Sequence, residues 1–441
     1  MKRMLTVAAL LVGLLPCGVR LLADEPLRLT LDEAIRRGLD ASHRIAEAVA
    51  RGDAADAAIG GRHAALLPQI AAQAGYTRTN HVDEFGIPVP PTGQLRVIYP
   101  DVPDNYRTRL DLQWPIYTGG RLDALERAAR IDATASADDI AVARADLTLE
   151  ITRAYWALVT AIESVAVVQE SVTRVDAHLR DVRNQLAAGL VPPNDVLTVE
   201  AQESRQRMLA IQARSLRTVA EADLARLIGA DPALPLEPVS TLDVAPASGG
   251  ALDQLIATAR EQRPERALLV KRLAAARERG VAASAGSRPT VAVGGGVDYA
   301  QPNPRIFPRE EAWKSSWDAS ITVSWPLFDG GRTRSDVAET TATARAVQER
   351  IADFDVNIAA EIRQRLSEAE SSRAAIEAAA DAVRSATEAR RVVGERFAAG
   401  VATSTDVLDA QVALLQAQLD RTQAFAAIRF ADARLARAVG R

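Results

Sequence analysis

Four histidines, His43, His63, His81 and His178, and one cysteine, Cys17, are the residues of this 441-residue chain suited to metal binding, thiol chemistry or proton transfer near neutral pH. The histidines show no metal-ligand spacing. His178 falls between Val175 and Leu179 of an apolar stripe, where a solvated or edge position is expected. Cys17 lies in a leader expected to be removed, so the mature chain is expected to lack both a disulfide and a cysteine metal site. Gly294-Gly295-Gly296 would cradle a phosphate at the mouth of a helix, but it sits in a strand-like stretch, which predicts a bulge or a close backbone contact in a sheet. No Ser-His-Asp arrangement stands out. The expectation is a protein without catalytic residue, metal or cofactor, and not an enzyme. A net charge of −4 carries no basic excess for a nucleic-acid partner.

The elements are more informative. Lys2, Arg3, an apolar run over residues 4–15 and Ala23 before Asp24 make residues 1–23 read as a cleaved export signal. Pro16 stands where a lipidated cysteine would need a small residue before it. Residues 121–188 and 332–393 contain neither proline nor glycine. A helix over the first run of 68 residues would be about 100 Å long, beyond any globular domain. Inside it, Val165, Val168, Val172, Val175, Leu179, Val182 and Leu186 alternate steps of three and four, a heptad seam.

The chain is also internally duplicated. Trp114-Pro115-Ile116-Tyr117-Thr118-Gly119-Gly120-Arg121 recurs 211 positions later as Trp325-Pro326-Leu327-Phe328-Asp329-Gly330-Gly331-Arg332. The Ala-Ala-Gly ending at Gly189 recurs at Gly400, and Asp195-Val196-Leu197 at Asp406-Val407-Leu408, with the same offset. After each Ala-Ala-Gly a short linker, 190–194 or 401–405, leads to a second helix. Its stripe is read as Leu197, Ala201, Ser204, Met208 and Ile211 in the first half, and Leu408, Val412, Leu415 and Leu419 in the second. Each half is thus a long helical hairpin, with glycine ending one helix and Asn194 or Thr405 capping the next.

Windows 68–117 and 289–328 hold 12 of the 18 aromatics and alternate with period two, so they read as strands. Tyr106, Thr108, Leu110, Leu112, Trp114 and Ile116 oppose Arg107, Arg109, Asp111 and Gln113; Trp317, Ala319, Ile321, Val323, Trp325 and Leu327 oppose Asp318, Ser320, Thr322 and Ser324. Partner strands are expected over 69–79 and 290–300, with loops around 87–104 and 302–311. Aromatics near strand ends (Tyr76, Tyr106, Trp114, Tyr299, Trp317, Trp325) suit a membrane barrel, and no later apolar run of spanning length is expected. Soluble β-hairpins packed on helices would give the same alternation. Four strands cannot close a membrane barrel, so copies must pool them; three copies give twelve strands, and two or four copies remain open.

Leu29-Thr30-Leu31-Asp32-Glu33-Ala34-Ile35, Leu67-Pro68-Gln69, the two Pro-x-x-x-Gly-Gly-Arg junctions, the paired Ala-Ala-Gly tips and Asp406-Val407-Leu408-Asp409-Ala410-Gln411 together resemble the TolC-type bacterial outer membrane efflux proteins. The resemblance covers essentially the whole mature chain. It implies a mainly α protein with a membrane β part: a homotrimer whose long helical hairpins form a periplasmic tunnel under a 12-stranded outer-membrane barrel, each chain supplying four strands. It also implies passive conduction from an inner-membrane RND or ABC-type pump, reached through a periplasmic adaptor, in a tripartite efflux pump or type I secretion system. Mapped by motif, the adaptor-docking tips are Gly189, Leu190, Val191 and Pro192, and Gly400, Val401, Ala402 and Thr403. The barrel-to-helix junctions are Gly119, Gly120, Gly330 and Gly331. Asp195 and Asp406 could form a periplasmic constriction, although helix N-terminal stabilisation explains both as well. The implied organisation is a signal (1–23), N-terminal helices (24–66), a first β-hairpin (67–118), a first helical hairpin (119–229), a linker (230–263), a helix (264–287), a second β-hairpin (288–329) and a second helical hairpin (330–441). The competing reading is an exported coiled-coil scaffold without channel activity.

Overall fold

The computed structural model describes residues 26–242 and 250–441. The export signal and Cys17 lie outside the described residues. In chain order the elements are β1 (Leu27–Leu29), α1 (Leu31–Ala41), α2 (His43–Ala64), β2 (Gln69–Arg78), β3 (Phe85–Val89), β4 (Gln94–Tyr99), β5 (Asp104–Tyr117), α3 (Arg121–Ala187), α4 (Pro193–Ile228), β6 (Leu236–Pro238), α5 (Leu252–Gln262), α6 (Pro264–Ser284), β7 (Thr290–Gln301), β8 (Lys314–Ser324), α7 (Arg332–Ala398) and α8 (Ser404–Val439). The duplication is carried to the residue: α3 and α7 are both 67 residues long, α4 and α8 both 36, each pair 211 positions apart.

The chain divides into two compact units. Among the described residues the first comprises 26–41, 154–242 and 383–422. Here β1 pairs in parallel with β6, and Tyr155, fully buried, donates its hydroxyl to Leu29 O at 3.1 Å while accepting from Ser240 N at 3.2 Å. The heptad seam is buried as its period requires. Val175, Leu179 and Val182 pack on Val196 and Val199 of α4 and Leu408 of α8; Val168 and Val172 pack on Ala210, Ala213 and Leu415. The α4 stripe read from sequence is corrected: Leu197, Met208 and Ile211 are exposed, and the smaller Val196, Val199, Ala210 and Ala213 face α3. That helix carries two apolar faces, and the one with smaller side chains allows the closer approach.

Among the described residues the second unit comprises 42–153, 250–382 and 423–441. Its helices meet in small apolar layers, with Leu255 and Ala259 against Ile358, Ile362, Leu435 and Val439. Its sheet is four-stranded and antiparallel throughout, in the order β2-β5-β7-β8. Two strand expectations change. The 87–104 loop contains most of a second, two-stranded sheet, β3-β4. The last strand stops at Ser324, leaving Trp325 and Leu327 outside it, because Ser324 pairs with Thr290, the first residue of β7, and nothing precedes Thr290 in the ladder. The equivalent Trp114 and Ile116 stay in β5, Trp114 opposite Val293, with a bulge between Pro115 and Tyr117. The expectation of no further spanning run is also overturned: one 18-residue window of α3 is long and apolar enough, with 44% of it buried inside the chain. Ala, Val and Leu give α3 that composition, and part of it is spent on the seam.

Candidate functional site

Both hairpin tips turn by the same device. Gly189 (φ 73°) and Gly400 (φ 72°) are left-handed, and the next residue donates back over the turn: Leu190 N to Gln185 O and Val401 N to Arg396 O, both at 2.8 Å. Beyond that the tips diverge. The second helix starts earlier than expected, so the caps are Pro192 and Thr403, not Asn194 and Thr405. Pro193 opens α4, where a missing N–H has no cost. At the other tip Thr403 and Asp406 bond reciprocally: Asp406 N donates to Thr403 Oγ1 at 3.2 Å, and Thr403 N to Asp406 Oδ2 at 2.8 Å. That backbone donor and the Thr403 hydroxyl hold the Asp406 carboxyl below its ordinary range. Asn194 Nδ2 donates to Asp195 Oδ1 at 3.1 Å. Leu190 and Val401 are exposed, and Val191 is partly packed against the seam.

His178 is not the solvated or edge histidine its spacing suggested. It is buried under the second tip, Nε2 2.9 Å from Ser404 Oγ, its ring edge-on to Phe397 at 5.1 Å. No heptad position reveals this, because the cover comes from α7 and α8, more than 200 residues away. Burial lowers its pKa from the ordinary 6.5, against the pull of the Asp181 carboxylate. As pH falls through about 6.5 the unfolded chain protonates here and the folded chain does not, so stability is present above that pH and lost below it. Wild-type protein is therefore expected to lose urea resistance between about pH 7.5 and about pH 5.5, and His178→Gln to lose less over the same interval.

The sheet sorts its side chains cleanly. Ile70, Leu110, Leu112, Val297, Trp317, Ile321 and Val323 form one face, all exposed in the single chain. Aromatics mark its two ends. Tyr76, Tyr106 and Tyr299 gather around Trp313, with ring centroids 4.9–6.1 Å apart along the chain of contacts, and Trp313 was not singled out from sequence. Eight residues along β5, Trp114 donates its indole N–H to Leu66 O at 3.2 Å, and Trp325 likewise to Ser287 O at 3.1 Å. At about 3.4 Å per residue the two bands are about 27 Å apart along the strand. Trp317 lies between them, at 75% exposure, rather than at an end.

The opposite face is polar and locked by charge. Arg109 Nε donates to Asp111 at 2.5 Å, its Nη1 to Asp318 at 2.9 Å and also to Asp298; Arg107 Nε donates to Asp298 at 2.6 Å. Arg305 adds a 2.8 Å pair to Asp318. Alternation placed Arg107, Arg109, Asp111 and Asp318 on this face, but Asp298 and the convergence were missed, since they depend on β7 pairing with β5.

The junction glycines follow the strands. Gly119, Gly120, Gly330 and Gly331 all have positive φ, from 67° to 89°. Next to them, equivalent residues cap the long helices: Thr118 Oγ1 accepts from Leu122 N at 3.3 Å, and Asp329 Oδ2 from Thr333 N at 2.8 Å. Among the described residues no group of His, Cys, Asp and Glu is arranged to hold a metal.

A family model described as "Outer membrane efflux protein" matches residues 34–230 and 255–441, one match to each half. Protein CyaE of Bordetella pertussis is 26% identical over 404 residues, 90% of this chain and 81% of that protein. The CmeC outer membrane channel of Campylobacter jejuni superposes with a TM-score of 0.78 at 17% identity, covering 93% of this chain and 85% of that one. The outer membrane protein VceC of Vibrio cholerae superposes with a TM-score of 0.75 at 19% identity, covering 93% and 96%. The duplicated hairpins, the four-stranded sheet and the family match over both halves lead to one conclusion: the chain belongs to the outer membrane efflux protein family, a family of channels in the outer membrane.

Proposed function

We propose that three copies of this chain close a 12-stranded barrel and form the exit duct of a tripartite pump, conducting solute passively across the outer membrane and performing no chemical step. The observation that carries this reading is the sheet. It exposes a continuous apolar face about 27 Å along the strand between aromatic bands, which at a barrel tilt of about 35–45° gives about 20 Å of height against the roughly 25 Å apolar band of an outer-membrane barrel, and its edge strands β2 and β8 each have one unpaired side. Backbone groups on such edges have no partner in lipid, so neighbouring copies supply it. The exposed Leu197, Met208 and Ile211 face of α4 supports the same association among helices. In this reading segments 67–118 and 288–329 build the barrel, and 119–229 and 330–441 the periplasmic tunnel. Purified protein is expected to give stepwise conductance in planar lipid bilayers. Recovery from the soluble periplasm with no conductance would overturn the channel reading.

The tips around Gly189–Pro192 and Gly400–Thr403 are the docking points for a periplasmic adaptor, which joins the channel to an inner-membrane RND or ABC-type pump. Exposed Leu190 and Val401 offer apolar contacts beside Gly189 and Gly400, which have open space around them. Cysteines at Val191 or Ala402 are expected to cross-link to the adaptor in cells, detected as a higher-mass band in a blot for this chain. Uniform absence of such products would remove the docking assignment. Asp406 is better explained as the partner of Thr403 than as a constriction carboxylate.

A further inference from the structure

Arg109 reaches across β7 by lying over a residue without a side chain. Asp111, Gly296 and Asp318 are directly paired across β5, β7 and β8, and a Cβ on Gly296 would stand 2.7 Å from Arg109 Nη2 and 2.9 Å from its Cζ. That slot is what lets one guanidinium bind carboxylates on three strands: Asp111, Asp298 and Asp318. The ion-paired group then balances. Arg107, Arg109 and Arg305 oppose Asp111, Asp298 and Asp318, and Lys314, also on this face, has its own partner in Glu310 at 3.2 Å. Arg309 lies one step nearer the loops, at Asn105, and donates to Asn105 Oδ1 at 2.7 Å and to the Tyr99 hydroxyl at 2.8 Å. Side chains of Asp111, Asp318 and Arg305 keep between a quarter and a half of their exposure, so solute passing this face would meet the group.

We propose that this network makes the barrel lumen electrically neutral at its level, so that passage through the barrel does not sort solutes by charge, and that Arg109 is the residue which sets this. Rings of fixed charge at a pore wall impose cation or anion preference, and removing one member of a balanced set exposes the remainder. The inference rests on the polar face lining the lumen of the proposed barrel.

The test is the reversal potential of the full-length channel in planar bilayers under a potassium chloride gradient. Arg109→Gln leaves one uncompensated carboxylate per chain, and the potassium-to-chloride permeability ratio is expected to rise by about twofold or more. Asp111→Asn leaves one uncompensated guanidinium and is expected to move the ratio the opposite way. Arg109→Lys keeps the balance and the wild-type ratio. If Arg109→Gln does not insert, the sign of the Asp111→Asn shift decides alone. A wild-type potassium-to-chloride permeability ratio far from one would overturn lumen neutrality, and conducting variants that keep the wild-type reversal potential would overturn the role of Arg109, both leaving the channel reading intact; a wild type that never conducts would sink the channel reading itself.

Discussion

Tyr155→Ala is expected to destabilise the protein by about 3–5 kcal/mol, the cost of emptying a large buried aromatic site. The ring is fully enclosed and packs edge-on against Trp156 at 5.5 Å. Its hydroxyl also serves two backbone groups, Leu29 O at the end of β1 and Ser240 N just after β6. Tyr155→Phe retains the ring and removes only that bridge, for which about 1–2 kcal/mol is expected. Urea unfolding of detergent-solubilised protein, followed by far-ultraviolet circular dichroism, measures both. An alanine variant within about 1 kcal/mol of wild type would mean the site collapses, contrary to the packing described.

Gly296→Ala is expected to lower the yield of membrane-inserted protein about tenfold, on an overpacking cost of about 1–3 kcal/mol. The new Cβ would lie 2.8 Å from Leu110 O, a backbone atom fixed by the β5–β7 ladder, as well as 2.7 Å from the Arg109 guanidinium. Arg109 could swing aside; the carbonyl could not without moving the strand. Gly75→Ala is the matched control, because Gly75 in β2 has no atom within 4 Å of the added carbon. Fractionation of cells expressing each variant, with a blot of the membrane pellet, gives the comparison. Equal amounts of the two variants would show that β7 tolerates a side chain there.

These two positions also show what could be read from the sequence. The repeat at Trp114 and Trp325, the long runs without proline or glycine, and the tip glycines were legible because each is a local rule: a helix excludes proline, and a left-handed turn selects glycine. Gly294-Gly295-Gly296 was legible as a place of close backbone approach, but not why, since the approaching Arg109 sits nearly 190 residues earlier and reaches it only through the pairing of β5 with β7. His178 failed for the same reason: its cover comes from Phe397 and Ser404. The α4 face failed differently. Leu197, Met208 and Ile211 have the larger apolar side chains, and hydrophobicity alone does not say which of two faces a neighbouring helix in the same chain will take.

The equal lengths of α3 and α7, and of α4 and α8, constrain how such a gene can change. Deleting a single codon from α3 would draw its tip back by about 1.5 Å and turn it by about 100°, while the α7 tip stayed in place. Point substitutions can therefore differ freely between the halves, as Pro192 and Thr403 do, but insertions and deletions must occur in matched pairs. Length, more than identity, is the trait that both repeats have kept in common.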